Sequence, residues 1–401
     1  MSNYRGQIPE GLQDCLPEEC YNKRRIEDIV RRVFYSRGYD EIETPVFEYL
    51  DVFTNGTGFI EQEQMLKIVG PGNQILVMRP DMTTPIARLV ATKFKENPLP
   101  IRLSYLSNIY RYQQPHMGKQ WEIAQAGIEL MGIEGPEADA EVISTAIECF
   151  LDLSLEDFQI DIGQVEFFKG LVEEADLDFQ TASQLRALIE DKNILALKEF
   201  LEELPINIEL KEVFLDLPKL YGNIDIHKIA SRYDRYPRCQ KAIQNIMEIY
   251  DILKDFGLHE FITLDLGMVH SLNYYTGIIF RVFTKNLGFP ICVGGRYDRL
   301  LSEFGYDIPA TGFAINLKNT LMALERQQSL ISIPSIDILV VVDKTHRKQG
   351  YKIAQNLRRQ GKRVEIFHSS QNTYTAEEYA KLKGISQIID ASKEPEGGEL
   401  C

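Results

Sequence analysis

The chain carries Met78-Arg-Pro-Asp-Met-Thr-Thr-Pro-Ile-Ala-Arg88 between a predicted strand at 74–78 and a predicted helix at 84–95. The residues after it indicate two longer strands, at 101–112 and 121–131. Long strands with few helices between them are typical of an antiparallel sheet. The fold class that we predict is therefore α+β.

The predicted elements divide the chain into a large core at 1–328 and a small C-terminal unit at 336–401. Within the core, helical patterns rich in Leu, Ile and Glu predict a helical insertion at about 136–260. The C-terminal pattern is β-α-β-α-β, which predicts a small parallel α/β domain. No glycine-rich phosphate loop opens the first helix of that unit, so its sequence gives no support to nucleotide binding.

Composition and charge limit the classes of function. The 401 residues are 44% hydrophobic and 26% charged, which is ordinary for a soluble globular protein. The formal net charge of −15 opposes binding to a polyphosphate backbone, so we do not expect nucleic acid as the main partner. No run approaches the roughly 20 apolar residues of a membrane span, and the N-terminus shows no apolar leader. The six cysteines form no Cys-x-x-Cys pair. We therefore expect a cytoplasmic protein with reduced thiols and no membrane association.

The histidines show no spacing typical of metal ligands. No i, i+4 pair and no pairing with cysteine occurs among His116, His227, His259, His346 and His368. We expect neither a metal site nor a cofactor.

Two neighbouring predicted strands place polar side chains on a common face, because side chains alternate along a strand. Those on one strand are Gln125, Gly127 and Glu129, and those on the other are Tyr105, Ser107, Ile109 and Arg111. A glycine between two polar residues leaves room for a ligand to approach the backbone. The same pattern also fits an exposed polar face of a sheet, and both interpretations stay open on these residues alone.

Several stretches of the chain are similar to the core of the histidyl-tRNA synthetases. They are Met78 to Arg88, Ile109-Tyr-Arg-Tyr112, Gln125-Ala-Gly-Ile-Glu129 and Ser271-Leu-Asn-Tyr-Tyr-Thr-Gly277. The similarity covers roughly 5–325 in family order and includes Pro45 at the position of the motif 1 proline. It implies a class II aminoacyl-tRNA synthetase-like core, followed by a unit that resembles a truncated anticodon-binding domain.

The resemblance also implies a binding site for histidine. The implied residues are Asp81, Thr83, Arg111, Gln125, Glu129, Tyr274 and Tyr275. Asp81, Thr83 and Gln125 would hold the α-ammonium group, because carboxylate and amide oxygens accept hydrogen bonds from it.

In the same match, Arg111 would lie near the ligand carboxylate, and Glu129 with Tyr275 would hydrogen-bond the imidazole. At position 81 the synthetases carry Glu where this chain has Asp, so the match departs there. The segment Gly294-Gly-Arg-Tyr-Asp298 matches a second histidine-specific motif, but a Gly-Gly pair between a strand and a helix is equally a tight turn.

Two arginines that the synthetases use to handle ATP are missing. His270 and Asn319 stand in their places, and the motif 2 loop differs at Gln113, Gln114, His116 and Lys119. Adenylation needs preorganised cations around phosphoryl oxygens, and neither a neutral imidazole nor an amide supplies one. If each lost donor costs about 3 kcal/mol, the reaction slows by roughly 10⁴-fold or more. We expect no catalytic residues in this chain.

A synthetase-like core with these losses resembles the family of ATP phosphoribosyltransferase regulatory subunits. The resemblance implies a short-form catalytic subunit as partner, a hetero-octamer of four regulatory and four catalytic chains built on synthetase-like dimers, and feedback inhibition by histidine in the first step of histidine biosynthesis. Two alternatives stay open: an active histidine–tRNA ligase, and a histidine-binding adaptor for another enzyme.

Overall fold

The computed structural model describes residues 4–54, 56, 60–112, 120–222, 229–230, 232–269, 274–285, 287–369 and 373–394. The chain divides into two compact units, Met1–Leu330 and Ile331–Cys401.

The first unit combines helices with strands. Its helices are α1 (Pro17–Ser36), α2 (Asp51–Thr54), α3 (Thr83–Lys93), α4 (Pro136–Asp152), α5 (Val165–Glu174), α6 (Phe179–Glu190), α7 (Ile194–Glu203), α8 (Ile208–Asp216), α9 (Pro237–Asp255) and α10 (Leu317–Arg326). Its strands are β1 (Asp40–Glu41), β2 (Phe47–Tyr49), β3 (Lys67–Val69), β4 (Ile75–Met78), β5 (Ile101–Tyr110), β6 (Glu122–Met131), β7 (Phe158–Gln164), β8 (Tyr221–Gly222), β9 (Ile262–Asp265), β10 (Ile278–Thr284), β11 (Cys292–Arg296) and β12 (Ala310–Asn316).

A large mixed sheet organises this unit, with the strand order β1-β5-β6-β12-β11-β10-β7-β9-β8. The pairs from β5 through β7 are antiparallel, whereas β1 with β5 and β7 with β9 are parallel. The two longest strands are the ones that the sequence predicts at 101–112 and 121–131. The predicted α+β class is confirmed.

The two faces of the sheet have different environments. Alternation along β6 sends Ala126, Ile128 and Leu130 into the main hydrophobic core, where helices α1, α4 and α10 pack. The intervening residues of β6 face the opposite side, where aromatic side chains and helix α3 form a second cluster. A polar site on that second face is therefore bounded by a sheet whose other face is fully packed.

The predicted helical insertion at 136–260 begins too early. Helix α4 packs against α1 and β12, and Phe158–Gln164 forms β7, which pairs with β10 and β9 inside the large sheet. Helices α5 to α9 lie between β7 and β9 in the sequence, and we call residues 165–261, which also include the short strand β8, the helical segment. The pattern Phe158-Gln-Ile-Asp-Ile has the alternation of a strand, but it is short and lies between strongly helical patterns.

Strands β2, β4 and β3 form a separate small antiparallel sheet. The C-terminal unit contains β13 (Ile338–Val342), α11 (Arg347–Arg359), β14 (Val364–His368), α12 (Ala376–Lys383) and β15 (Gln387–Asp390). Its strands are parallel in the order β14-β13-β15, in agreement with the predicted β-α-β-α-β pattern. Among the described residues, no helix is long and apolar enough to cross a membrane.

Candidate functional site

Strand β6 provides the base of the site, and the strands on either side of it determine what lies around it. Gln125 pairs with Ser107 of β5, and Glu129 pairs with Gly312 of β12. Helix α3 begins at Thr83, above this part of the sheet, so that its first turn approaches Glu129. The motif around Met78 and the strand β6 therefore meet at one place.

A cavity of about 420 Å³ lies on this face of the sheet. Every residue that the resemblance implies for histidine lines it: Asp81, Thr83, Arg111, Gln125, Glu129, Tyr274 and Tyr275. The remaining lining residues are Ile60, Glu61, Gln64, Tyr105, Arg186, Val293, Tyr297, Gly312, Phe313 and Ala314. The structure thus brings the whole predicted set together around one volume, and adds tyrosines and an arginine that the sequence did not assign.

The carboxyl group of Glu129 lies at the bottom of the cavity and is 1% exposed. The hydroxyl of Thr83 donates a hydrogen bond to Oε1 at 2.8 Å, and the hydroxyl of Tyr297 donates one to Oε2. Burial raises the pKa of Glu129 to about 8, since desolvation disfavours the charged form more than these two hydrogen bonds stabilise it. The nearby Asp81 adds to the rise.

Asp81 and Arg111 form a second polar group in the cavity. Oδ1 of Asp81 accepts hydrogen bonds from the backbone N–H of Thr84 at 2.9 Å and from its hydroxyl at 3.3 Å. Oδ2 lies 3.7 Å from the guanidinium of Arg111, whose Nε donates to the carbonyl of Pro80 at 2.6 Å. Asp81 therefore stabilises the start of α3 with one oxygen and directs the other toward Arg111.

Tyrosines form the aromatic wall of the site. The ring centroids of Tyr274 and Tyr275 are 4.8 Å apart, and Tyr297 packs edge-on against Tyr274 at 5.8 Å. Burial raises the pKa of Tyr105 and of each of these phenols, so their hydroxyls stay protonated and able to donate.

Glycines make space for these side chains rather than for a ligand. A Cβ on Gly127 would overlap the carbonyl of Phe313 and would lie 2.5 Å from the hydroxyl of Tyr105. The prediction that Gly127 leaves room for a ligand is wrong, because Tyr105, its direct partner on β5, fills that space. Gly312 has a similar role, because a Cβ there would overlap Oε2 of Glu129.

The Gly-Gly pair at 294–295 does not form a turn. Gly294 and Gly295 lie inside β11, and a Cβ on Gly295 would be 2.5 Å from the carbonyl of Ile278 and 2.8 Å from the ring of Tyr275. Tyr297 points into the cavity. The sequence signal that could have identified it is the two-residue period of β11, which places Val293 on the same side.

Arg296 supports the site from outside the cavity. Its Nε lies 3.0 Å from Oδ2 of the buried Asp139, and its other nitrogens bond Asp298 and the carbonyls of Ile133 and Gly135. Burial raises the pKa of Asp139, and the neighbouring guanidinium opposes that rise. This network fixes the end of β11, from which Tyr297 reaches Glu129.

Of the two positions predicted to have lost arginines, the structure describes Asn319 but not His270. Asn319 lies in the first turn of α10; its side-chain amide donates to the carbonyl of Pro290 at 2.9 Å, and it does not line the cavity. His270 and the motif 2 positions Gln113, Gln114, His116 and Lys119 lie outside the described residues. No group of three or more metal-ligating side chains occurs in the part of the chain that the structure describes.

Most of the chain is similar to known families and proteins. The family described as "Histidyl-tRNA synthetase" matches residues 11–320. A curated protein from Acetivibrio thermocellus, named "ATP phosphoribosyltransferase regulatory subunit", is 46% identical over 389 residues, which cover 97% of this chain and 93% of that protein. This chain belongs to the family of ATP phosphoribosyltransferase regulatory subunits. A family member from Ruminiclostridium cellulolyticum is 42% identical over 389 residues, which cover 97% of this chain and 93% of that protein.

Solved structures agree with this family and fold. An ATP phosphoribosyltransferase regulatory subunit/histidyl-tRNA synthetase from Bacillus halodurans has a TM-score of 0.86 at 30% identity, over 97% of this chain and 99% of that one. The histidyl-tRNA synthetase from Nostoc, with a TM-score of 0.79 at 22% identity, shares the fold over 97% of this chain and 92% of its own. Membership of the regulatory-subunit family makes this chain a non-catalytic component of ATP phosphoribosyltransferase, and the ligase alternative is not favoured.

Proposed function

We propose that this chain activates a short-form ATP phosphoribosyltransferase catalytic subunit and inhibits it when histidine occupies the cavity on the large sheet. The enzyme condenses ATP with phosphoribosyl pyrophosphate, the first step of histidine biosynthesis. The observation that carries the proposal is the convergence of all seven implied histidine-binding residues on one cavity. The names of the relatives support a catalytic ATP phosphoribosyltransferase chain as the partner.

Histidine has the groups that complement this cavity. Its imidazole N–H can donate to Glu129, and the phenol of Tyr275 can bond the other ring nitrogen. Its ammonium group suits the carboxylate of Asp81, which accepts charge-assisted hydrogen bonds. The resemblance places at position 319 an arginine that the synthetases use to handle ATP, and the uncharged Asn319 cannot stabilise a triphosphate in that way.

Inhibition would operate by linkage between binding and quaternary state. Histidine that binds more tightly to one arrangement of the complex shifts the population toward that arrangement. A coupling free energy of about 1 to 3 kcal/mol between the cavity and the partner is sufficient for regulation.

The exposed side of the small antiparallel sheet supports assembly through pairs of this chain. Its apolar residues include Phe47, Tyr49 and Ile68, which are 43%, 55% and 41% exposed. Tyr49 and Ile68 both pair with Leu76, one from each side, so Tyr49, Leu76 and Ile68 form one row across the sheet. An exposed apolar row is typical of a protein interface, and two copies related by a two-fold axis would cover it. Four such chains with four catalytic chains form the proposed hetero-octamer.

The test uses the complex with its catalytic subunit. In Glu129→Ala we expect assembly and uninhibited activity to remain, while inhibition by histidine is lost. The matched control is Glu325→Ala, which removes an exposed carboxylate from α10. Size-exclusion chromatography checks assembly, and initial rates at increasing histidine measure inhibition. Inhibition that persists unchanged in Glu129→Ala would place the regulatory site elsewhere.

A second assay addresses the ligase alternative directly. We expect the purified chain to show no histidine-dependent exchange of pyrophosphate into ATP. Exchange that depends on histidine would contradict the non-catalytic role.

A further inference from the structure

Arg186 lies at a junction between two spaces on the surface of the first unit. Within the described chain, it is the residue of the helical segment that lines the polar cavity. It also lines a neighbouring groove of about 610 Å³, whose walls are mainly apolar side chains of α5 and α6. Tyr275 borders both spaces as well. Arg186 therefore presents a cation from the helices to a site built on the sheet.

The other cations around these two spaces already have partners. Arg111 bonds the carbonyl of Pro80 and faces Asp81. In the groove, Lys169 pairs with Glu166 at 3.0 Å, and Arg238 pairs with Glu166 and Glu173 at 2.6 Å.

Arg186 differs from them. It is half-buried and has no hydrogen-bond or ion-pair partner among the described residues. A partly desolvated guanidinium without a counter-charge is unfavourable, and the group that best satisfies its fork of donors is a carboxylate.

The position of Arg186 is held by the helix that carries it. Glu190, four residues later and thus on the same face of α6, is its natural intrahelical partner. Instead, Glu190 accepts from Arg281 of β10 at 2.7 Å. This ion pair anchors the end of α6 to the sheet and leaves the guanidinium of Arg186 available to the cavity.

We propose that Arg186 binds the α-carboxylate of the amino acid in the cavity and so joins helix α6 to the ligand on the sheet. The inference depends on the proposed histidine site and adds Arg186 to Arg111, which the resemblance places near the ligand carboxylate, as a second cation for that group. Asp81 and Glu129 suit the ammonium and imidazole ends of the ligand. Arg111 is partly compensated by Asp81, which leaves Arg186 as the cation with the most unused donors among the described lining residues.

The experiment compares histidine with histamine, which lacks the carboxylate, by calorimetric titration of the full-length chain. We expect wild type to bind histidine more tightly. Arg186→Ala should raise the Kd for histidine by about 10- to 100-fold, the range for losing hydrogen bonds to a charged group. The Kd for histamine should stay within about twofold of the wild-type value. Arg186→Lys should recover part of the loss. Arg238→Ala is the matched control, because it removes a paired arginine from the same groove and should leave the histidine-to-histamine ratio unchanged.

The outcomes separate the two proposals. Absence of histidine binding by wild type would overturn the proposed function and this inference together. Unchanged histidine binding in Arg186→Ala, or equal weakening of both ligands, would overturn the role of Arg186 alone. If the alanine variant does not fold, hydrogen exchange on the wild-type protein tests whether Arg186 joins α6 to the ligand carboxylate. We expect histidine to protect the amides of α6 where histamine does not, and equal protection by both ligands would contradict the proposal.

Discussion

The hydroxyl of Tyr297 donates a hydrogen bond to Oε2 of Glu129, and both side chains are buried. Glu129 lies on β6 and Tyr297 follows β11, with β12 between the two strands. The bond passes over Gly312, the residue of β12 that pairs with Glu129 on one side and Gly295 on the other. The hydrogen bond between Tyr297 and Glu129 therefore requires glycine at position 312, because a side chain there would overlap the carboxyl group.

Glu129 should make the stability of the protein depend on pH. Burial raises its pKa from 4.5 to about 8, so between these values the folded state holds a proton that the unfolded state has released. The free energy of unfolding therefore falls as pH rises through this window, by at most about 1.4 kcal/mol per pH unit from this group, and is level above it. Glu129→Gln should lack this contribution.

Urea unfolding of both proteins at pH 5, 7 and 9 measures the effect. We expect the glutamine variant to gain stability relative to wild type as the pH increases, with most of the gain complete by about pH 8. Other titrating groups are common to both proteins and cancel in the difference. A constant difference across the three pH values would contradict the raised pKa.

Gly312→Ala should damage both stability and ligand binding. The new Cβ would overlap Oε2 of the buried Glu129 and the carbonyl of Ile128, and the carbonyl belongs to the backbone of the paired strand β6. Overpacking of this kind costs about 1 to 3 kcal/mol. Gly288→Ala is the matched control, because a Cβ there has nothing within 4 Å. Gly312→Ala should have a lower Tm and bind histidine more weakly than Gly288→Ala, as measured by thermal unfolding and calorimetric titration. Equal Tm and equal affinity in the two variants would show that the strands adjust freely.

Arg296→Met should destabilise the first unit by about 3 to 5 kcal/mol. The substitution leaves Asp139 buried without its cation, and an unpaired buried charge is more costly than the loss of the pair itself. Adding Asp139→Asn removes the remaining charge and should recover part of the loss, which is measured as coupling in a double-mutant cycle. Additive effects in chemical denaturation would indicate that the pair is not energetically connected.

Tyr49→Asp combined with Ile68→Asp should prevent pairing of this chain. The two side chains lie in the exposed apolar row of the small sheet, where a carboxylate in the interface would lose its hydration. Tyr35→Asp is the control, because Tyr35 is 80% exposed and belongs to α1, which is not part of that sheet. Sedimentation equilibrium should show a lower mass for the double variant only. An unchanged mass would mean that the row is not the contact between copies.

Elements whose pattern is contained in a short stretch of sequence could be predicted. The paired strands at 101–110 and 122–131 and the parallel C-terminal unit follow from periodicities that short windows contain. Strand β7 was missed because its few residues lie among helical patterns and its place in the sheet depends on pairing with β10, more than 100 residues later. Gly294 and Gly295 were open to interpretation as a turn, since the rings that require glycine there belong to distant residues, Phe280 of β10 and Tyr275 just before that strand.

Sequence alone determined which side chains of β6 share a face, because a period of two is a property of the strand itself. Sequence alone also showed that position 319 holds an uncharged asparagine. The tertiary structure decided the charge state of Glu129, the contact between Tyr297 and that carboxyl group, and the presence of Arg186 in the cavity. These features depend on burial and on segments distant in the chain, so they exist only after the sheet has paired and the helices have packed around it.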